Sequence, residues 1–235
     1  MATYVLVHGA WHGAWCWDRL SGALSRRGHH AVAMDLPVDD GTATFVDYRD
    51  AVLAAWPSTP SGDIVLVGHS LGAMVVPLVA DVRPVAHQVY LCPVVPNVAG
   101  LPWDDMPEMG APDAYRTTTY DDGSVAFESL QEAVTTFYGD CDPDDAAWAF
   151  ERLCRQNSTS LWDRPYPLTE LPSGRTTVVA GRHDRAVRPE FLRAACPPRL
   201  GAAPIEIDAD HSPFLSAPEV LADLLDGLSG DDPGR

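Results

Sequence analysis

Lysine is absent from this chain: all 16 basic residues are arginine, against 33 acidic residues, for a net charge of −17. A protein that grips phosphate backbones or anionic lipid needs a basic face, so neither nucleic acid nor a membrane surface is an expected partner. Long apolar runs are missing too. The longest are a handful of residues, against the roughly 20 that cross a bilayer. No basic stretch precedes an apolar one, and Met1 leads almost directly into TYVLVH. No secretory signal is therefore expected, and the expected compartment is the cytoplasm. Cysteine is scarce and odd in number (Cys16, Cys92, Cys141, Cys154, Cys196), with no CxxC pair. That argues against a disulfide framework and a zinc site, and it leaves free thiols.

What is present describes a globular enzyme-sized domain. Apolar residues make up 46% of the 235 and charged residues 21%, close to the soluble average, and one large α/β domain can fill this length. The richness in Ala, Pro, Asp and Arg suggests a high-GC bacterial genome. No repeat, coiled coil or distinct interface signal appears, so a monomer or homodimer is expected.

Short β-rich runs alternate with helical stretches, the pattern of a parallel sheet covered on both faces. Strands are predicted at Tyr4–His8, Ala31–Met34, Ile64–Val67, Gln88–Leu91, Thr177–Ala180 and Ile205–Ile207. TATFVDYRDAVLAAW predicts a helix that Pro57 ends, and APEVLADLLDGL predicts a closing helix with Val220, Leu221, Leu224, Leu225 and Leu228 on one face. The rhythm breaks between about residues 97 and 165. That segment holds 14 acidic and 4 basic residues, −10 of the −17 charge. Helices are predicted there in SVAFESLQEAVTTFY and DDAAWAFERLCRQ. An insertion this long is usually functional, so the expected organisation is a core of 1–96 and 166–235 with a lid at 97–165.

The stretch IVLVGHSLGA carries the chemistry. A serine hydroxyl needs a base and an exposed position to act as a nucleophile. A sharp strand-to-helix turn puts Ser70 at its tip, and Gly68 and Gly72 remove side chains that would collide there. The following helix aims its free N–H groups and positive dipole end at the site. After the first strand comes His8-Gly9-Ala10, a turn that can direct the Ala10 N–H at an oxyanion, with the Leu71 N–H as partner. His8 and His12 lack a third ligand cluster and read as structural.

The orienting acid and the base should follow later strands in the order Ser, Asp or Glu, His. TTVVAGRHDRAV supplies Asp184 after a strand, and IEIDADHSPFLSAPEV supplies His211 after the next. The competitors fit less well. His183 neighbours Asp184, Asp208 and Asp210 lie too near His211 in sequence, and His69 lies inside the turn. Pocket walls are expected from Trp11, Trp103, Met106, Tyr115, Phe127 and Trp148, with Met109 and Phe150 as further candidates, although packing of lid on core would account for any of them equally well.

Taken together, VHGAWHGAW, GHSLGA, GRHD and DADHSPFLSAPE resemble the α/β-hydrolase superfamily over nearly the whole chain. The resemblance is to the esterase and hydroxynitrile-lyase branch that includes plant methylesterases. It implies a mostly parallel sheet of about six strands with helices on both faces, lacking the first two strands of larger members, and a helical cap over the site. Two departures from the lyase pattern matter. The lyases carry a threonine where this chain has Gly9, and a lysine where it has Ser212. With no lysine anywhere, cyanohydrin cleavage by that route is not expected.

The expected activity is hydrolysis of a small hydrophobic or aromatic carboxylic ester, lactone or thioester through an acyl-enzyme on Ser70. No cofactor or metal is expected. The alternatives are cofactor-free C–C bond chemistry with His211 as base, and a ligand sensor that turns over slowly.

Overall fold

The computed structural model describes residues 1–60, 62–101, 104–162 and 164–230. Eight strands are numbered along the chain: β1 Ala2–Val7, β2 His30–Ala33, β3 Asp63–His69, β4 His87–Leu91, β5 Thr118–Thr119, β6 Val125–Ala126, β7 Thr176–Gly181 and β8 Pro204–Ile207. All six strands predicted for the main sheet form, each within one or two residues of its expected ends. They pair in the order β2-β1-β3-β4-β7-β8, and every pairing is parallel.

The four central strands, β1, β3, β4 and β7, are buried on both sides because they are apolar at successive positions. Side chains alternate faces along a strand. Val5, Val7, Leu66 and Tyr90 join one core cluster, while Tyr4, Leu6, Val65 and Val67 join the other. Packed against these faces are the helices Asp18–Arg26, Phe45–Ala54, Pro189–Leu200 and Pro218–Gly230. Thr44 starts the second of these with a reciprocal cap: its hydroxyl accepts the Asp47 N–H, and Asp47 accepts the Thr44 N–H. In the closing helix Leu221 and Leu225 are buried, but Val220 is 52% exposed, so the expected apolar face is narrower by that residue. No helix among the described residues is long and apolar enough to cross a membrane.

Strand order positions the site. From β1 the chain goes to β2 on one side and returns as β3 on the other. The loops after β1 and β3 therefore part over the carboxyl ends of the sheet and open a crevice there, the usual ligand position in such sheets.

Between β4 and β7 the chain forms a β5–β6 hairpin and four short helices, Met106–Met109, Leu130–Phe137, Pro143–Phe150 and Thr159–Trp162. Two expectations are corrected here. Residues 124–138 are not one helix: Val125–Ala126 is a strand, bridged to Gln156, and the helix starts only after Ser129, whose hydroxyl accepts the Glu132 N–H. The second helix stops at Phe150, after which the chain extends to make that bridge. Backbone contacts tie the segment to the core. Asn157 N–H donates to Val38 O (2.7 Å) and Cys154 N–H to Trp11 O (2.9 Å).

Candidate active site

Ser70 directly follows β3 in the left-handed region, at φ +51°. An L-residue holds that conformation only when its surroundings impose it, and the strand-to-helix reversal does so here. Both flanking glycines are required by contact. A Cβ on Gly68 would lie 2.5 Å from Val76 Cγ2 and 2.7 Å from Gly72 O. A Cβ on Gly72 would lie 2.3 Å from His8 O and 2.7 Å from Val7 O. The helix after Ser70 is not α from its start. Ser70–Val75 winds as a 3-10 helix before the α-helix Val76–Ala80. Pro77 has no N–H to offer Ala73 O, which accepts from Val76 instead.

His211 and Asp184, which follow β8 and β7, meet in the interior. His211 Nδ1 donates to Asp184 Oδ2 at 2.8 Å, with both side chains almost wholly buried. Asp184 Oδ1 accepts the Val187 N–H at 2.8 Å, so the carboxylate is fixed at both oxygens. With Nδ1 carrying the proton, Nε2 is the basic nitrogen. It is buried, and among the described residues it has no hydrogen-bond partner. Gly181 allows the two loops to touch: a Cβ there would lie 2.3 Å from Asp210 O.

The competing residues have other work. Asp210 is a buried clamp on the His211 loop, accepting from Ser212 N–H (2.9 Å), Ser216 hydroxyl (2.9 Å) and Asp140 N–H (3.0 Å). His183 is exposed and pairs with Asp140 at 2.7 Å and Asp208 at 3.5 Å. His69 Nε2 donates to the His211 carbonyl at 2.9 Å and so holds the base's backbone. His8 donates from Nδ1 to Gly9 O and accepts the Leu36 N–H at Nε2. His12 likewise donates to Ala10 O and accepts from the Tyr138 hydroxyl. Burial lowers all three pKa values: His8 to about 4, His12 to about 3, and His69 well below its ordinary value. They are neutral structural imidazoles.

Sequence reasoning missed the surroundings of Asp184. Cys92, just past β4 at φ +44°, places its sulfur so that it, the Asp184 carboxylate and His211 offer atoms within 4.8 Å of one another. Burial and the Asp184 charge push its pKa up, so it stands as a thiol rather than the thiolate a metal would select. The readable signal was its position at the carboxyl end of a sheet strand.

Ser70 opens on a cavity of about 280 Å³. Ala10 and Leu71 line it next to the nucleophile, as do Trp11, Met106 and Tyr115. Phe127 and Trp148 do not line it, against expectation. Phe127 lies edge-on to Trp11 at 5.3 Å and to Phe137 at 4.9 Å. Trp148 packs on Trp15 at 5.3 Å under the Arg152 guanidinium. Both are apolar residues used in packing one layer further out, and Phe150 is absent from the lining as well. Trp103 lies outside the described residues. Met109 is on the wall, together with Val94, Val125, Gln156 and Trp162, which were not expected there. Gln156 also braces the loop after β1. Trp11, at φ +62°, donates its backbone N–H to Gln156 Oε1 (3.3 Å) and its indole N–H to Val125 O (3.0 Å).

Comparison with known proteins bears on the family and the fold. The pattern of the alpha/beta hydrolase family matches residues 4–224. Esterase PIR7B of Oryza sativa subsp. japonica is 37% identical, the match covering 94% of this chain and 93% of that one. Norfluorocurarine synthase 2 of Strychnos is 29% identical over the same shares. Among solved structures, polyneuridine aldehyde esterase superposes with a TM-score of 0.81 at 23% identity, covering 97% of this chain and 98% of that chain. In sheet order, in the turn around Ser70 and in sequence over nearly its whole described length, this chain belongs to the α/β-hydrolase family.

Proposed function

We propose that the protein is a serine esterase acting on small apolar or aromatic carboxylic esters, with residues 97–165 as the cap that shapes its pocket. The observation that carries this reading is the His211 imidazole. Asp184 fixes its tautomer, and its Nε2 is buried with no partner among the described residues, while Ser70 opens on a cavity. In this reading Nε2 takes the Ser70 proton as Oγ attacks the ester carbonyl, then returns it to the leaving alcohol. Water, activated by the same nitrogen, releases the acid. Asp184 stabilises the imidazolium that forms at each stage. Ala10 and Leu71 N–H groups stabilise the oxyanion, a contribution of about 3 kcal/mol per donor. The next amide along, that of Trp11, is already engaged by Gln156.

The esterases among the relatives support the reaction class, and the cavity's size and apolar lining support the substrate class. A volume of about 280 Å³ is at the low end for ligand pockets. The lyase route finds no support: the chain has no lysine, and the residue after His211 is a buried serine. A panel of aryl, alkyl and methyl esters and lactones, run beside Ser70→Ala, tests the proposal. Ser70→Ala should lose essentially all turnover on the best substrate. Retained turnover in that variant would overturn it.

A further inference from the structure

We propose that Ser158 and Thr159 form a built hydrogen-bonding subsite that selects a hydroxyl group on an otherwise apolar substrate; this deepens the esterase reading and rests on it. Both residues line the cavity that holds Ser70, in a wall that is otherwise mostly apolar. Their hydrogen bonds within the protein are made to two buried amides, Gln156 and Asn157.

The amide of Gln156 sets the first half. Trp11 N–H is a donor, so the Gln156 atom it meets must be the oxygen, Oε1. Nε2 is thereby the donor end, and it reaches Tyr48 Oη at 3.2 Å and Ser158 Oγ at 2.9 Å. Both its N–H bonds are engaged, and the residue is only 2% exposed. Ser158 Oγ therefore accepts from the protein, while its own hydrogen has no acceptor among the described residues. On the cavity wall it is a donor.

Thr159 is set the opposite way. Its hydroxyl donates to Asn157 Oδ1 at 2.8 Å. The orientation of that amide is fixed in turn, because Asn157 Nδ2 donates to Asp122 O at 3.0 Å. Thr159 Oγ1 is left with lone pairs, so on the cavity wall it is an acceptor. Two adjacent residues thus present one donor and one acceptor. A ligand hydroxyl can satisfy both at once, an ether or ketone only the donor, and a hydrocarbon neither. Among the described residues no charged side chain lines the cavity, so a neutral group fits better there than a carboxylate.

Matched esters test this. Methyl 3- and 4-(hydroxymethyl)benzoate differ from methyl 3- and 4-ethylbenzoate by one hydroxyl in place of a methyl. The wild-type protein should favour the hydroxymethyl member of at least one pair by about threefold or more in kcat/KM, as expected for one net hydrogen bond where Ser158 is half-buried and Thr159 exposed. The preference should appear mainly in KM, because the group is remote from the reacting atoms. Ser158→Ala and, separately, Thr159→Val should each bring the ratio close to one. Equal or reversed preference in the wild type for both pairs, or a preference that survives both variants, would overturn the subsite. Calorimetric binding of the same esters to Ser70→Ala separates the two proposals. Tighter binding of the hydroxymethyl ester there, with no turnover by the wild type, would remove the esterase reading and keep the subsite. Equal binding of both members, with turnover intact, would do the reverse.

Discussion

Ser70 at φ +51° depends on two absent side chains, and the atoms they would meet decide how severe each loss is. At Gly72 the obstacles are backbone carbonyls at the end of β1, which cannot move without parting β1 from β3. Gly72→Ala should therefore destabilise the fold by about 3 kcal/mol and displace Ser70, read as a lowered denaturation midpoint with little residual turnover. Gly9 is a milder case. A Cβ there would lie 2.8 Å from Ser70 Cβ, 3.0 Å from His69 Nδ1 and 3.2 Å from His69 O, all longer than the closest contacts at Gly72, so Gly9→Ala should fold but push on Ser70 and lose catalytic rate. Asp184 is tested by removing charge and keeping shape. Asp184→Asn should lower kcat by about 10³–10⁴-fold with a much smaller change in KM, measured by steady-state kinetics. Ser70, Asp184 and His211 were legible in the sequence because each follows a strand within a short motif. Cys92 was not, since a thiol after a strand carries no pattern of its own.

At the scale of elements, the loop after β1 is held by the segment above it. Trp11 gives two N–H groups to that segment and receives the Cys154 N–H, so the cavity wall and the Ala10 turn share one set of hydrogen bonds. Gln156→Leu should therefore lower kcat by about tenfold, beyond any change in KM, because it leaves the half-buried Trp11 amide without its acceptor. Stopped-flow acylation and steady-state kinetics would separate the two effects. The main sheet could be read from sequence because six short apolar runs stand apart from the helical stretches between them, and the four central ones are buried on both faces. The segment above it could not. Val125 and Phe127 sit in a stretch whose apolar spacing also suits a helix, and Val125 is held as a strand by pairing with Thr119 in the hairpin and by a bridge to the distant Gln156. Wall residues such as Ser158 and Thr159 are polar and small, and composition does not mark them. Phe127 and Trp148 were expected there for being large and apolar, a property packing uses equally well.

At the scale of the whole molecule, three buried neutral histidines couple folding to pH. The folded pKa values of His8, His12 and His69 lie below the unfolded value near 6.5. Below about pH 6.5 the unfolded chain binds protons the folded chain refuses, so stability falls with pH until the folded pKa values, about 4 for His8 and about 3 for His12, are reached. Unfolding at pH 5 should take up roughly three protons from this cluster, seen as a steep fall in the denaturation midpoint between pH 6.5 and 5. A flat midpoint over that range would contradict it. The same buried cluster holds the backbone of His211 through His69, so the core that fails in acid is the one that positions the base. The account as a whole stands on a covalent intermediate at Ser70. Its most direct test is mass spectrometry of the intact protein and its peptides after treatment with a fluorophosphonate or an activated ester. A single adduct on the peptide containing Ser70, absent from Ser70→Ala, is the predicted result. Ester turnover with no adduct, or an adduct of equal yield in Ser70→Ala, would contradict it.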